Sequence, residues 1–214
     1  MPNKNPQEWR EFLEELSELI FEHASQRESS VIVSHLSEEM RSRRYVGFDG
    51  ASETQICEAE KRLGVKFPPS YRTFLSVSNG WPDVWNAVEP GELWPTEKIA
   101  WTRDQDPEII EIFGDQYGEE MTLEAHLAAR GKDFGEYGAN FMRNLLSISD
   151  HGDACDLVLC PDVVNASGDW ECWKISSWGG VERFERFEDW FVNSYGFWKD
   201  QLEQDAKDNS KRRL

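Results

Sequence analysis

Apolar and polar residues alternate along this chain with two different periods. Trp9, Phe12, Leu13, Leu16, Leu19, Ile20 and His23 recur at helical spacing, with Glu8, Glu11, Glu14, Glu15, Glu18 and Glu22 on the opposite side. This predicts an amphipathic helix from Pro6 to His23. Its stripe has two destinations open to it, the body of the domain or a second chain. The acidic polar face argues against a membrane, because interfacial helices are usually basic there. A second short helix is expected within Ser34–Arg44.

The most explicit local code lies between Ala51 and Trp85. Ser52 followed by Gln55 has capping-box spacing. Ile56, Ala59 and Leu63 share one face, and Gly64 stands where a left-handed exit is needed. Phe67-Pro68-Pro69 forces an extended bridge. Tyr71, Phe74, Leu75 and Ser78 then mark a second helix, which Asn79-Gly80 ends. Short helices are expected over Pro107–Phe113 and Met121–Arg130, the latter with Met121, Leu123, Leu127 and Ala128 as its apolar side. From residue 144 the period falls to two. Asn144–Ser149, Asp156–Cys160, Asp169–Ser176 and Val181–Phe184 read as strands, with Trp170, Cys172 and Lys174 on one face and Glu171, Trp173 and Ile175 on the other. A helix over Phe187–Leu202 and a charged, frayed tail from Asp205 complete the pattern. The class is α+β: an antiparallel meander sheet of about four to six strands flanked by helices. The organisation expected is an N-terminal helical extension over 1–44, a domain over 45–200 with an acidic insertion near 103–140, and a tail over 201–214.

The ordered series Leu63-Gly64-Val65, Pro68-Pro69-Ser70-Tyr71-Arg72, Phe74-Leu75 and Asn79-Gly80-Trp81 resembles the signature of the SUKH superfamily. So does the second half: a strand at Leu145–Ile148, an acidic turn at Asp150-His151-Gly152-Asp153, strands at Asp156–Cys160 and Glu171–Ile175, and Phe187–Phe191 opening a helix. The superfamily includes fungal cell-wall-assembly regulators and bacterial immunity proteins that neutralise toxins. The resemblance implies a non-enzymatic protein that binds a cognate protein toxin in the cytoplasm, with no cofactor. Its alternatives are an intracellular scaffold like the fungal relatives, or a small hydrolase using His151.

Charge sharpens this picture. The 214 residues carry 23 Lys and Arg against 41 Asp and Glu, a net of −18. Between Trp81 and Asn140 the balance is 14 acidic to 4 basic, so over half the excess falls in little more than a quarter of the chain. Such a surface repels nucleic-acid phosphate and anionic lipid and favours a basic partner, such as a nuclease-type toxin. The candidate contacts are Trp81, Asp83, Trp85, Glu89, Glu92, Trp94, Asp104, Asp106, Asp153 and Asp169, with aromatic anchors among steering carboxylates. Core closure is the competing role for Trp81, Trp85, Trp94 and Trp101. The expected state is a monomer or weak homodimer.

Candidate chemistry is sparse. His151 with Cys155 and a neighbouring carboxylate could form a base and nucleophile, and His151, Asp153 and Asp156 could ligate a metal. A turn between two strands accounts for the same residues through backbone chemistry alone. Cys155, Cys160 and Cys172 lack zinc-site spacing, and with Cys57 they read as reduced thiols. There is no phosphate-binding glycine loop and no HExxH or GxSxG motif. The opening residues lack the apolar core of a signal peptide, and no apolar run is long enough for a membrane span.

Overall fold

The computed structural model describes residues 3–26, 36–84, 90–116, 118–131, 136–152 and 154–212. Helices α1 (Pro6–Gln26), α2 (Glu38–Arg43), α3 (Glu53–Leu63) and α4 (Pro69–Val77) come first. The sheet follows as β1 (Ala100–Trp101), β2 (Leu146–Ser147), β3 (Cys155–Val164), β4 (Trp170–Ser176) and β5 (Gly180–Phe184). Between β1 and β2 lie α5 (Thr102–Gln105), α6 (Pro107–Ile109), a π-helical turn (Ile110–Gln116), α7 (Leu123–Ala129) and a 3₁₀ turn (Ala139–Asn144). Helix α8 (Phe187–Arg212) ends the chain. The strands run antiparallel in the order β1-β2-β3-β4-β5, the meander that the strand spacing predicts.

Local chemistry sets the first helices. Ser52 Oγ accepts from Gln55 N while Gln55 Oε1 accepts from Ser52 N, closing the capping box. Gly64 exits α3 at φ 72°. Glu60 is buried on α3 and accepts from Phe67 N (3.1 Å), Arg72 Nε (3.2 Å) and Lys66 Nζ (2.6 Å), so one carboxylate fixes the bridge between α3 and α4. Pro68 offers no side-chain cap to α4. That service comes from across the fold, where Asp169 Oδ1 accepts from Ser70 N at 2.8 Å.

The sheet is covered on both faces. Leu157, Leu159, Trp170 and Cys172 face the larger core, which α1, α3, α4 and α8 close. Val158, Cys160, Trp173 and Ile175 face a smaller core closed by Ile109, Tyr137, Phe141 and Met142. The two-residue period of β4 thus sorts its side chains as expected. The stripe of α1 is spent on the domain itself. Trp9 is fully buried, with ring centroids 5.4 Å from Phe74 and 5.6 Å from Phe191, and Lys4 pairs with Glu188 at 2.7 Å.

Besides β1 and the 3₁₀ turn, which the sequence pattern does not predict, four elements differ from it. β3 runs on through Pro161 to Val164, with a register shift after Cys160. The proline is tolerated because β2 has only two residues and ends before it, so no ladder donor is needed. The helix begun at Pro107 widens into a π turn. The tail from Asp205, expected to fray, continues α8 to Arg212, because Gln, Glu, Ala and Lys are good helix formers and no proline interrupts them. Helix α7 is turned so that His126 and Ala129 are buried while Leu123, Leu127 and Ala128 are exposed, the reverse of the expected apolar side.

Candidate partner-binding rim

The turns at one end of the sheet are stitched together by backbone. Trp81 and Leu93 exchange hydrogen bonds (3.1 and 2.8 Å), and Gly80, at φ 97°, allows this pairing. A Cβ on Gly80 would lie 2.5 Å from the Leu93 carbonyl oxygen. Asp150 N donates to Glu92 O (2.8 Å), and Gly91 N donates to Asp150 O (3.2 Å). Ser177 N donates to Ala154 O (3.1 Å), which sets the β4–β5 turn beside the same loop. Sequence separation is therefore erased here: residues near 83, 92, 150 and 178 share one end of the sheet.

The side chains gathered there are largely acidic. Burial raises the Glu92 pKa, and the charges of Asp150 and Asp83 add to that against the pull of Lys98. Lys98 Nζ reaches Asp150 Oδ1 at 2.6 Å and lies over the Trp94 ring, 5.1 Å from its centroid. His151 Nδ1 lies 2.6 Å from Asp156 Oδ2. Burial raises the Asp156 pKa, and the charge of Asp106 adds to it, while His151 works in the other direction. Trp178 projects from the adjoining β4–β5 turn with 60% of its surface exposed.

The predicted contacts divide accordingly. Asp83, Glu92 and Asp106 belong to this cluster or its margin, and Asp104 stands exposed on α5. Trp85, Glu89 and Asp153 lie outside the described residues. Three others are corrected by burial. Trp81 has no exposed surface, since it follows the Gly80 turn inward to pack edge-on against Tyr45 and Phe191. Trp94 is 7% exposed and donates its indole N–H to Asp150 Oδ1 at 2.7 Å, so it supports the rim from beneath. Asp169 is wholly enclosed, accepting from Ser70 N (2.8 Å), Asn3 Nδ2 (2.5 Å) and Ser167 Oγ (3.3 Å). Two further members of the rim, Trp178 and Asp150, are not among the predicted contacts. A tryptophan before Gly179-Gly180 sits at a hairpin tip, where a side chain has little to pack on, and that was the available signal.

The arrangement does not favour bond-making chemistry. His151 is mostly exposed, whereas Cys155 is completely buried. Burial also pushes the Cys160 and Cys172 thiols far above their ordinary range. Among the described residues, no three of His, Cys, Asp and Glu are grouped closely enough to hold a metal ion. No helix among them is long and apolar enough to cross a membrane.

The SMI1 / KNR4 family (SUKH-1) matches residues 50–193, well over half of the chain. The chain belongs to this family. The match begins just before the capping box of α3 and ends within α8, so it takes in the meander, the rim and both helices that the Pro68-Pro69 bridge separates. Helix α1, which precedes it, packs into the same core. No curated protein matches the chain.

Proposed function

We propose that this SUKH-family chain is an immunity protein that neutralises a cognate toxin by binding it, without chemistry of its own. The observation that carries this is Trp178, 60% exposed on the β4–β5 turn, at the same end of the sheet as the cluster of Asp150, Glu92 and Asp83. A large aromatic side chain in water has no folding role to account for it, and a frame of carboxylates supplies steering toward a basic protein. A nuclease is such a partner, because its substrate site is built to receive phosphate. The carboxylates of the rim take the place of phosphates, and Trp178 anchors in an apolar recess of the toxin. Asp104 and Asp106 extend the same field along the insertion. Family membership supports this reading, since immunity roles are common in the family and catalysis is not.

The test is co-expression with the toxin encoded beside this gene. The wild-type chain restores growth and forms a stable complex. The variant Trp178→Ala folds normally, binds roughly thirtyfold more weakly and loses rescue. Full rescue by that variant refutes the assignment of the rim, and failure of the wild type to bind or rescue refutes the immunity role.

A further inference from the structure

Helix α7 is built inside out. Its buried side holds Ala129 and an ionisable residue: His126 has no exposed surface, and its Nε2 lies 2.9 Å from Glu171 Oε2 on β4. His126 Nδ1 accepts from Gly138 N at 3.0 Å, and Arg183 Nη1 reaches the same Nε2 that faces Glu171. Glu171 also accepts from Arg130 Nε (2.6 Å) and Trp173 Nε1 (2.9 Å), and Arg183 donates to the His126 carbonyl oxygen at 2.6 Å. Its other side is apolar: Leu123 and Leu127, one turn apart, are 47% and 42% exposed. Rotating the helix would bury the leucines, but it would strand Glu171 and Arg183 inside the protein. The ion network thus locks α7 in the register that leaves the leucines in water. A buried ion network is seldom the cheapest route to stability, and local conflict between pattern and fold is concentrated at working surfaces.

The surroundings say what would cover them. Glu124 lies on the same helix, and Glu119 and Glu120 stand before it, separated from it by Met121 and Thr122; all three are exposed. Arg143 approaches Glu120 at 3.6 Å, and Arg130 is turned inward to Glu171. A second copy of this chain would bring the same acidic frame and be repelled.

We propose that the leucine face of α7 docks a basic segment of another protein that carries apolar side chains at helical spacing. Leu123 and Leu127 receive the apolar residues, and Glu119, Glu120 and Glu124 receive the lysines or arginines around them. The surface is separate from the Trp178 rim, and the inference holds whether or not the partner is a toxin.

The probe is a synthetic amphipathic helix of leucine and lysine, titrated into the full chain and followed by leucine-methyl NMR. Saturable shifts are expected at Leu123 and Leu127. They weaken with added salt and are absent for a matched peptide of leucine and glutamate. The variant Leu123→Ser, Leu127→Ser stays folded at the temperature of the titration, with a somewhat lowered melting midpoint because each leucine is about half covered, and binds about tenfold or more weakly. Shifts confined to other residues, no saturation up to about 1 mM peptide, or a leucine-dependent dimer in sedimentation would overturn the proposal. The Trp178→Ala variant separates the two surfaces: it retains peptide binding at α7 while losing rescue.

Discussion

Asp169 looks like a surface contact in the sequence and acts as a structural clamp in the fold, and the two roles predict opposite outcomes on substitution. Asp169→Ala removes the acceptor for Ser70 N, the uncapped first turn of α4, together with those for Asn3 Nδ2 and Ser167 Oγ. Loss of a helix N-cap costs about 0.5–2 kcal/mol. A buried N–H left without a partner costs about 1–3 kcal/mol, and these two figures describe largely the same loss. Asn3 and Ser167 retain access to water, since both lie toward the surface, and add little. The total is about 2–3 kcal/mol. For a chain of this size each kcal/mol lowers the melting midpoint by about 2–4 °C. The expected fall is therefore about 4–12 °C, read by thermal unfolding at neutral pH. Asp169→Asn keeps the Oδ1 acceptor and should recover much of the loss. Affinity for a partner, measured well below the lowered midpoint, should not change. An unaltered midpoint combined with weakened binding would sink the argument, because it would return Asp169 to the surface.

The other expectations concern the rim, the network and the Gly80 turn. Burial raises the Glu92 pKa, so the native state holds that proton to higher pH than the unfolded chain does, and stability falls as pH rises through the titration. Glu92→Gln should raise the urea midpoint at pH 7 and leave it unchanged near pH 3, where both forms are neutral. Burial alone would raise the Glu171 pKa, but the His126 hydrogen bond and the charges of Arg183 and Arg130 outweigh it and hold the carboxyl below its ordinary value. Its contribution is present above the unfolded-state pKa and is lost as pH falls through the native one, so Glu171→Gln should flatten the acid limb of the stability profile. Glu171→Ala at pH 7 leaves buried arginine charge uncompensated and should cost about 3–5 kcal/mol in chemical denaturation. Gly80→Ala combines φ 97° with a contact at 2.5 Å to a backbone carbonyl, and should cost about 1–3 kcal/mol or more. Trp178→Ala should leave the melting midpoint unaltered and weaken partner binding by about 2 kcal/mol, roughly thirtyfold, in a titration.

Much of the fold is legible in the sequence, and the reason is locality. The capping box of Ser52 and Gln55, the Gly64 exit and the Pro68-Pro69 bridge are decided within a few residues, and the structure carries each of them. The alternation of β4 survives because both sheet faces are covered, so each side chain has an interior to enter. Where the structure departs from the local pattern, the deciding partner is remote. Asp169 is 99 residues from Ser70, and His126 is 45 from Glu171. Trp81 is buried against Phe191, more than a hundred residues away, and nothing in its own neighbourhood tells which way the Gly80 turn will send it.

Polar and apolar sides are exchanged at two places. Asp169, expected at the surface, is inside, and Leu123 and Leu127, expected on the apolar side of α7, are outside because the inner side is taken by His126 and Ala129. A hydrophobicity pattern assigns sides by solvent preference alone. It fails wherever a buried polar group has found all its partners, because a satisfied carboxylate no longer behaves as a hydrophilic residue. Once such a carboxylate fixes the orientation of an element, apolar residues on the far side have nowhere to go. The exposed leucines of α7 are thus a consequence of Glu171, not an independent accident. The same logic separates them from Trp178, whose exposure follows from its place on a hairpin tip and which no buried network compels. If partners act on both surfaces, substitutions at Glu171 should disturb α7 docking while leaving the Trp178 rim intact, since that rim is held by the backbone pairings of Gly91, Asp150 and Ser177.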